Sequence, residues 1–262
     1  MNEILKQFIN ENIDLINKNT KESWEDVYKK IDSKIAGEFT KIILDAGIND
    51  PASKLGYIPE YYLYNCNISE YKIPDTVTSI GSSAFYNCGS LTSLTIPDSV
   101  TSIGESAFEA CTRLTSITIP DGVTSIGDFA FKNCSSLTSV VIGDSVTSIS
   151  DHAFYRCSSL KSIEIPDGVT SIDFSVFSGC SSLTSVTIPE SVTSIEDFAF
   201  RGCSSLTNVV ISDNVTSIGD KAFRDCNNLK NIVVPDSVES IGEDVFEYCH
   251  KLTEIHYKGT KK

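Results

Sequence analysis

A cysteine recurs at a nearly fixed interval along most of the chain, and this period restricts the fold more than any other feature. The first interval is 22 residues and every later one is 23. Such a period is typical of a solenoid, in which each unit buries its apolar side chains against the next. The nine cysteines are Cys66, Cys88, Cys111, Cys134, Cys157, Cys180, Cys203, Cys226 and Cys249.

The period divides residues 73–256 into eight units of 23 residues, each beginning at the Ile-Pro pair or its equivalent. Residues 51–72 form an incomplete unit, in which Ile58, Leu63 and Cys66 hold the apolar positions. Counted from its first residue, every complete unit is apolar at positions 1, 5, 8, 12, 13, 16, 19 and 22, with phenylalanine at 13 and cysteine at 16. The sequence therefore predicts one continuous core along a stack of units.

Each unit contains short extended segments separated by turns. In the unit 96–118, IPDSVTSIGESAFEACTRLTSIT, the L-T-S-I-T-I-P stretch has the alternation and β-branched content of a strand. Pro-Asp predicts a tight turn in which the aspartate bonds backbone amides two residues on. V-T-S-I predicts a second, shorter extended segment, and A-F-x-x-C fits a single helical or 3₁₀ turn.

The motifs L-x-x-I-x-I-P, V-x-x-I-G and A-F-x-x-C at a period of 23 resemble the leucine-rich repeats of the BspA-like (Treponema-type) class. The resemblance covers about residues 51–258, and Tyr257 to Thr260 resembles the tail that often follows the last repeat of the class. It implies an α/β-type repeat solenoid, right-handed and curved, with a parallel sheet on the concave side. It also implies a binding or bacterial cell-surface protein without catalytic residues.

Residues 1–50 break the period and predict a small helical cap, which leaves residues 51–262 to the solenoid with a short tail at 257–262. Ser23 with Asp26 fits the start of a second helix, and Gly47 fits the end of a third. A cap shields the first coil from solvent, and the alternative is a docking or oligomerisation element. Apolar residues at helical spacing mark the first helix: Ile4, Leu5, Phe8, Ile9, Ile13 and Ile16.

The cysteines are interpreted as a buried structural column, because free cysteine behaves as a small apolar residue and no C-x-x-C pair suggests a metal site. Metal binding and redox chemistry stay as alternatives, and Cys66 or Cys249 at an end would be the most reactive thiol. A second column is acidic in every unit at position 3, which predicts turn chemistry or, alternatively, a stripe for divalent cations or a basic partner. Its members are Asp75, Asp98, Asp121, Asp144, Asp167, Glu190, Asp213 and Asp236.

Candidate binding residues concentrate around A-F-x-x-C, where aromatic and cationic side chains replace small polar ones. Such side chains are enriched at protein interfaces, whereas the outward positions of the strands are mostly serine, threonine, asparagine and valine. The sequence predicts a partner-binding flank in the third to seventh units, unless Phe129 and Phe198 fold down between coils. The predicted residues are Phe129, Lys132, His152, Tyr155, Arg156, Phe174, Phe198, Arg201 and Arg224.

Charge and motifs exclude several functional classes. The net charge is −14, which disfavours nucleic acid and anionic membranes as partners. No apolar run approaches the roughly 18 residues of a membrane span, and the N-terminus lacks a signal peptide. This favours the cytoplasm for the chain as written, or the cell surface if a leader was removed. The histidines are His152, His250 and His256, and they belong to no recognised catalytic motif.

We therefore expect a non-catalytic leucine-rich repeat scaffold, without a cofactor or metal, that binds a protein or a glycan. The alternatives are an assembly component that self-associates through the helical N-terminus or an open C-terminal coil, and a bacterial surface adhesion protein. In the assembly alternative an uncovered sheet edge pairs with another chain.

Overall fold

The computed structural model describes residues 3–257, so the predicted tail after Tyr257 lies outside the described residues. Four helices precede a column of parallel coils. Within the described part of the chain, none of the helices is both long and apolar enough to cross a bilayer. The helices are α1 (Glu3–Lys18), α2 (Lys21–Lys30), α3 (Ser33–Asp45) and α4 (Pro51–Leu55).

Helix α2 begins earlier than the sequence predicts, so the Ser23–Asp26 start is wrong. Thr20 is the N-cap residue: its side chain accepts a hydrogen bond from the backbone N–H of Ser23, and the Ser23 hydroxyl accepts one from the N–H of Thr20. Ser23 thus closes the capping box from within the first turn. Helix α3 ends at Asp45, and Gly47 adopts a positive φ of 70° just after it, as expected of a glycine that terminates a helix.

The L-x-x-I-x-I segments form strands along one side of the column, here called the strand face. They pair in parallel with the same segment one coil away, so Ser116 lies opposite Ser139 and Ser185 opposite Asn208. In the fourth unit this segment is reduced to a bridge between Ser139 and Ser162. These strands are β1 (Glu70–Lys72), β3 (Ser93–Thr95), β5 (Ser116–Ile119), β7 (Ser139–Ile142), β10 (Ser185–Thr187), β12 (Asn208–Val210), β14 (Asn231–Val234) and β16 (Glu254–Tyr257).

The V-T-S-I segments form a second stack of two-residue strands. The short strands are β2 (Ser79–Ile80), β4 (Ser102–Ile103), β6 (Ser125–Ile126), β8 (Ser148–Ile149), β9 (Ser171–Ile172), β11 (Ser194–Ile195), β13 (Ser217–Ile218) and β15 (Ser240–Ile241). They pair as two four-stranded parallel sheets, β2-β4-β6-β8 and β9-β11-β13-β15, and Ile58 of the incomplete unit bridges to Ile80. The predicted parallel-strand solenoid of eight units is confirmed.

The A-F-x-x-C segment is a series of tight turns, so the predicted helical or 3₁₀ turn is wrong. In the first complete unit Tyr86 donates its N–H to the carbonyl of Ser83, which closes one turn. The intervening N–H groups point along the column instead: that of Phe85 bonds the Ala107 carbonyl and that of Asn87 the Glu109 carbonyl, at 2.8 and 2.7 Å. Backbone amides that a helix would bond internally are used here to join neighbouring coils.

Two columns of side chains fill the centre of the stack. The phenylalanines at position 13 overlie one another from coil to coil, with ring centroids 5.1–5.9 Å apart and interplanar angles of 4–17°. The cysteines are buried and free, as predicted. Each from Cys88 onwards donates its thiol to the position-13 carbonyl of the preceding coil, at 3.0–3.3 Å. Cysteine thus supplies a small apolar side chain with a weak donor.

The helices cover the first coil closely. Gly37 in α3 lies so near the coil backbone that a Cβ there would be 2.1 Å from the Tyr64 carbonyl oxygen. Beside this contact, Asp50 accepts hydrogen bonds from the hydroxyls of Tyr62 and Tyr71. Tyr28 of α2 packs its ring 5.8 Å from that of Tyr62. The helices therefore fit onto the end of the solenoid through shape and a buried tyrosine–aspartate cluster.

Candidate functional site

We call the surface formed by the A-F-x-x-C turns the turn side of the coils. It lies outside the phenylalanine column and has an unusual backbone. At positions 11 and 15 of every complete unit φ is positive, between 52° and 77°. Position 11 holds Ser83, Ser106, Phe129, His152, Ser175, Phe198, Lys221 and Asp244, and position 15 holds Asn87, Ala110, Asn133, Arg156, Gly179, Gly202, Asp225 and Tyr248. The left-handed conformation is therefore imposed by the coil and not by glycine.

A row of rings crosses four coils on this side, and we call it the aromatic row: Phe129, His152, Phe174 and Phe198. Phe129 and His152 are stacked with centroids 4.8 Å apart, His152 and Phe174 are 5.1 Å apart, and Phe174 meets Phe198 edge to face at 5.5 Å. The Tyr155 ring contacts His152 at 5.4 Å. Phe129 and Phe198 are half-buried and pack against neighbouring rings, while the separate position-13 column fills the core.

Cations from positions 11 and 14 lie beside these rings. Lys132 Nζ is 4.8 Å from the centre of the Phe129 ring and 3.0 Å from a Glu109 carboxylate oxygen. The Arg201 guanidinium is 5.8 Å from the Phe198 ring and pairs with Asp225 at 3.7 Å. Such cation–ring contacts hold long side chains in place on a surface.

The structure brings eight of the nine predicted residues together, and Arg224 lies at their border, where it shares the Asp225 carboxylate with Arg201, each at 3.7 Å. Arg224 also packs 5.0 Å from the Tyr248 ring and pairs with Glu247 at 2.9 Å, in the last coils. Lys221, which the sequence analysis omitted, joins the row as well, 5.9 Å from Phe198. Its position, 11, is the one that Phe129 and His152 occupy, and that shared position was the available signal.

His152 is the only titratable ring of the row. Its pKa is lowered from the ordinary histidine value, chiefly because burial disfavours the charged form; Asp151 opposes this and Lys132 adds to it. The buried Nδ1 atom has no hydrogen-bond partner among residues 3–257. The ring is therefore neutral at pH 7 and acts mainly as an aromatic surface.

A second aromatic patch, which the sequence analysis missed, occupies the same side near the helices. Tyr64 and Tyr86 stack at 4.9 Å, and Tyr61 meets Tyr64 at 5.4 Å. Tyr61 has a φ of 57° and corresponds to position 11 of the incomplete unit. The second unit separates this patch from the aromatic row with polar side chains, where the Ser106 hydroxyl donates to Glu109.

Acidic side chains at position 10 run beside the aromatic row and are partly satisfied by the backbone. An Asp151 oxygen accepts the N–H of Phe174, and an Asp197 oxygen accepts that of Asp220, at 3.1 and 2.6 Å. Both contacts join consecutive coils. These carboxylates therefore have a structural partner within the column.

The strand face is recessed, and its outward side chains are mostly serine, threonine, asparagine and valine. A cavity of about 840 Å³ opens along the strands from Leu94 to Asp167, with part of the acidic column along its edge. In that column the Asp121 carboxylate accepts the N–H of Asp144 in the next coil, at 3.2 Å, in place of the amide two residues on in its own turn. Across the described residues, no three His, Cys, Asp or Glu side chains are grouped as metal ligands.

The cysteine column offers little for catalysis or metal binding. Burial is the main cause that raises the pKa of most of these thiols, to about 12 for Cys66, Cys134 and Cys180, so they are protonated at pH 7. Cys249 differs: a hydrogen bond with the Cys226 thiol lowers its pKa, and it is 9% exposed. That Cys66 or Cys249 is the most reactive thiol stays a prediction, and the structure favours Cys249.

Leucine-rich repeat proteins match this chain over most of its repeat region. A model of the BspA-type leucine-rich repeat region matches residues 56–184 and 147–262. A leucine-rich repeat protein from Bacteroides ovatus is 32% identical, with a TM-score of 0.63; the alignment covers 72% of this chain and 55% of that one. The leucine-rich repeat protein of T. pallidum is 30% identical, with a TM-score of 0.59, over 74% of this chain and 81% of its own. The chain thus spans about half the length of the first relative. The comparison with curated proteins found no match.

Proposed function

The chain belongs to the BspA-type leucine-rich repeat family, and on that basis we propose that it is a non-catalytic repeat scaffold that binds a protein partner through the aromatic row. Rigid stacking of the coils holds the row in one geometry, which lowers the entropy lost on binding. Half-buried aromatic side chains beside arginine and lysine have the composition of interface hot spots. The strand face, with its small polar side chains, lacks such anchors.

The observation that carries the proposal is the occupancy of position 11. An L-residue with positive φ costs about 1–2 kcal/mol, and a bulky one is rare in this conformation. Serine fills the position in three of the units, whereas Phe129, His152 and Phe198 fill it in three others. Their rings remain half-exposed, so core burial does not offset the strain. Strain of this kind at a surface is typical of a functional site.

The proposal is tested with a triple variant, Phe129→Ser, His152→Ser and Phe198→Ser, which restores the serine that other coils carry. Biotinylated wild-type and variant chains are used to capture proteins from host-cell and bacterial surface extracts, followed by quantitative mass spectrometry. We expect specific partners to bind the wild type and to be lost from the variant. A variant with Val141→Thr and Val210→Thr, two exposed valines of the strand face, should retain them.

Identical capture by the wild type and the triple variant would contradict the proposal. We expect the triple variant to fold, because serine occupies this position with the same positive φ in three other coils. A cooperative melting transition of the variant excludes unfolding as the reason for lost binding.

A second candidate is self-assembly through the last described coil. Ile241 is 43% exposed, whereas the position-8 isoleucine of every other unit is at most 3% exposed. Ile255 and Tyr257 of strand β16 are also exposed, at 39% and 58%. Light scattering decides this: a mass of 28.6 kDa across the micromolar range removes the assembly candidate. Cell fractionation with an antibody to the chain separates a cytoplasmic from a surface location.

A further inference from the structure

Two rings of the aromatic row, Phe129 and Phe198, have cations and other rings beside their faces. Phe129 lies between Lys132 on one side and His152 in the next coil. Phe198 is approached by Arg201, Lys221 and the Phe174 ring. Because aromatic faces are negative and edges positive, two rings whose faces are covered in this way offer their edges to negative and apolar groups. These two rings are poorly suited to sugars, which stack on free ring faces.

Arg156 is the cation of this side that is available to a partner. Lys132, Arg201, Lys221 and Arg224 each have a carboxylate within 4.0 Å. Arg156 is exposed and lies over the Tyr155 ring at 5.1 Å, and no ion pair engages it within residues 3–257. Its planar guanidinium therefore keeps the donor pairs that recognise a carboxylate in two-point fashion.

Gly179 determines where the Arg156 side chain lies. A Cβ on Gly179 would be 3.0 Å from Arg156 Cγ and 3.5 Å from its Cα, so the arginine extends over position 15 of the following coil. Gly202 holds the same position one coil further, with a similar φ (72° against 77°), but there the nearest atom to a Cβ is 3.7 Å away. The two glycines leave the surface beside the row without side chains at position 15 of two consecutive coils. The Arg156 side chain lies over the first of them, Gly179.

Within residues 3–257, the charges of the turn side leave one cation free for a partner. Positions 11, 14 and 15 hold five of the nine Lys and Arg of residues 73–256: Lys132, Arg156, Arg201, Lys221 and Arg224. The same positions hold the acids Glu109, Asp225, Asp244 and Glu247, and the other four cations already have a carboxylate within 4.0 Å. A carboxylate of a partner is therefore attracted to Arg156 more than to any other point of this side.

We infer that Arg156, positioned by Gly179, binds a side-chain carboxylate of an acidic polypeptide segment whose apolar residues pack along the aromatic row. The inference rests on the proposed function and specifies the chemistry of its partner. The partner is a polypeptide and not a glycan, because the covered faces of Phe129 and Phe198 disfavour sugar stacking. A simple anion would not supply the apolar groups that pack against the ring edges. Arg156 is the binding residue, and Gly179 acts through it.

The test uses the full chain and a display library of random 12-residue peptides as the probe. We expect selected peptides to be enriched in Asp or Glu together with Leu or aromatic residues. Their affinity should fall about tenfold or more with Arg156→Glu, and less with Arg156→Lys, which keeps the charge but loses the planar fork. Raising NaCl from 50 to 500 mM should weaken binding to the wild type.

Matched variants separate positioning from stability. Gly179→Ala and Gly202→Ala introduce the same strain in the same position of neighbouring coils, but only Gly179→Ala displaces Arg156. We expect a loss of affinity for Gly179→Ala and unchanged affinity for Gly202→Ala, with equal melting temperatures. Lys161→Glu, an exposed charge reversal in the fourth unit outside the turn side, should also leave affinity unchanged.

Three outcomes would overturn the inference. Selected peptides that are basic or neutral contradict the chemistry, and binding of a sulfated or acidic oligosaccharide in place of peptides contradicts the polypeptide. Peptides that lose affinity with Phe129→Ser and Phe198→Ser but not with Arg156→Glu leave the proposed function standing and remove Arg156 from it.

Discussion

At positions 11 and 15 of each coil the backbone is left-handed whichever side chain stands there. The same hydrogen bonds recur around it: the N–H of Phe129 donates to the Asp151 carbonyl, and the N–H of Asn133 donates to the Tyr155 carbonyl, one coil further on. The residue at each position therefore adapts to the coil. Local stability should vary with how well that residue tolerates a positive φ.

Ala110→Gly should stabilise the protein by about 0.5–1 kcal/mol. Ala110 has a φ of 60°, where its Cβ is strained and glycine is not. Urea unfolding followed by circular dichroism measures the change. Asn133→Gly at the same position of the next unit, with a φ of 61°, is the control and should gain less, because asparagine tolerates this conformation. Equal gains would contradict the strain argument.

At the scale of elements, helix α3 is placed by a residue without a side chain. The backbone of Gly37 contacts that of Leu63 and Tyr64 so closely that no Cβ fits between them. The other side of the helix packs Phe39 against Phe8 at 5.5 Å and Trp24 at 6.5 Å, so the helices also share a core of their own. Docking to the coil and packing within the helices are thus separable.

Gly37→Ala should detach or tilt the helices from the first coil while leaving most of the solenoid folded. Because Trp24 is the single tryptophan and is fully buried among the helices, its fluorescence reports on this region alone. We expect the fluorescence transition in urea to move to lower concentration by the equivalent of about 2 kcal/mol or more. The circular dichroism transition of the solenoid should move less.

Gly89→Ala is the control, since a Cβ there meets only the Thr112 hydroxyl at an ordinary 3.5 Å. Coincident shifts of both transitions in Gly37→Ala would show that helices and solenoid unfold as one unit, against the expectation.

Some elements of the structure can be predicted from the sequence, and others cannot. The strands and core columns follow directly from a period repeated eight times, since residues such as Phe108 and Phe131 must share an environment. The A-F-x-x-C pattern predicts a helical turn wrongly, because the backbone amides of this segment bond the next coil, a long-range partner that the local pattern does not reveal. The candidate residues were found by composition, but the covering of ring faces and the place of Arg156 on Gly179 depend on side-chain directions.

At the scale of the whole molecule, bonds between equivalent positions hold the coils in register. Threonine hydroxyls at position 6 donate to the carbonyl of the same position in the preceding coil, as Thr101 does to Thr78 and Thr216 to Thr193, both at 3.1 Å. Each coil contacts mainly its neighbours, so stability is close to a sum of units and interfaces. Removing one whole unit should therefore remove the contribution of that unit to the free energy of unfolding and preserve the fold of the remaining coils.

Deletion of residues 142–164 joins Val141 to Ile165, position 23 to position 1, and keeps every column in register. We expect a soluble, folded protein with a circular dichroism spectrum per residue like that of the wild type. The urea m-value should fall by roughly a tenth, because m follows the surface exposed on unfolding and 23 of 262 residues are lost. Deletion of residues 142–153 alone is the control: it brings Phe154 to the place of position 1 and should unfold or aggregate. A folded protein from both deletions, or from neither, would contradict a stability built from whole coils.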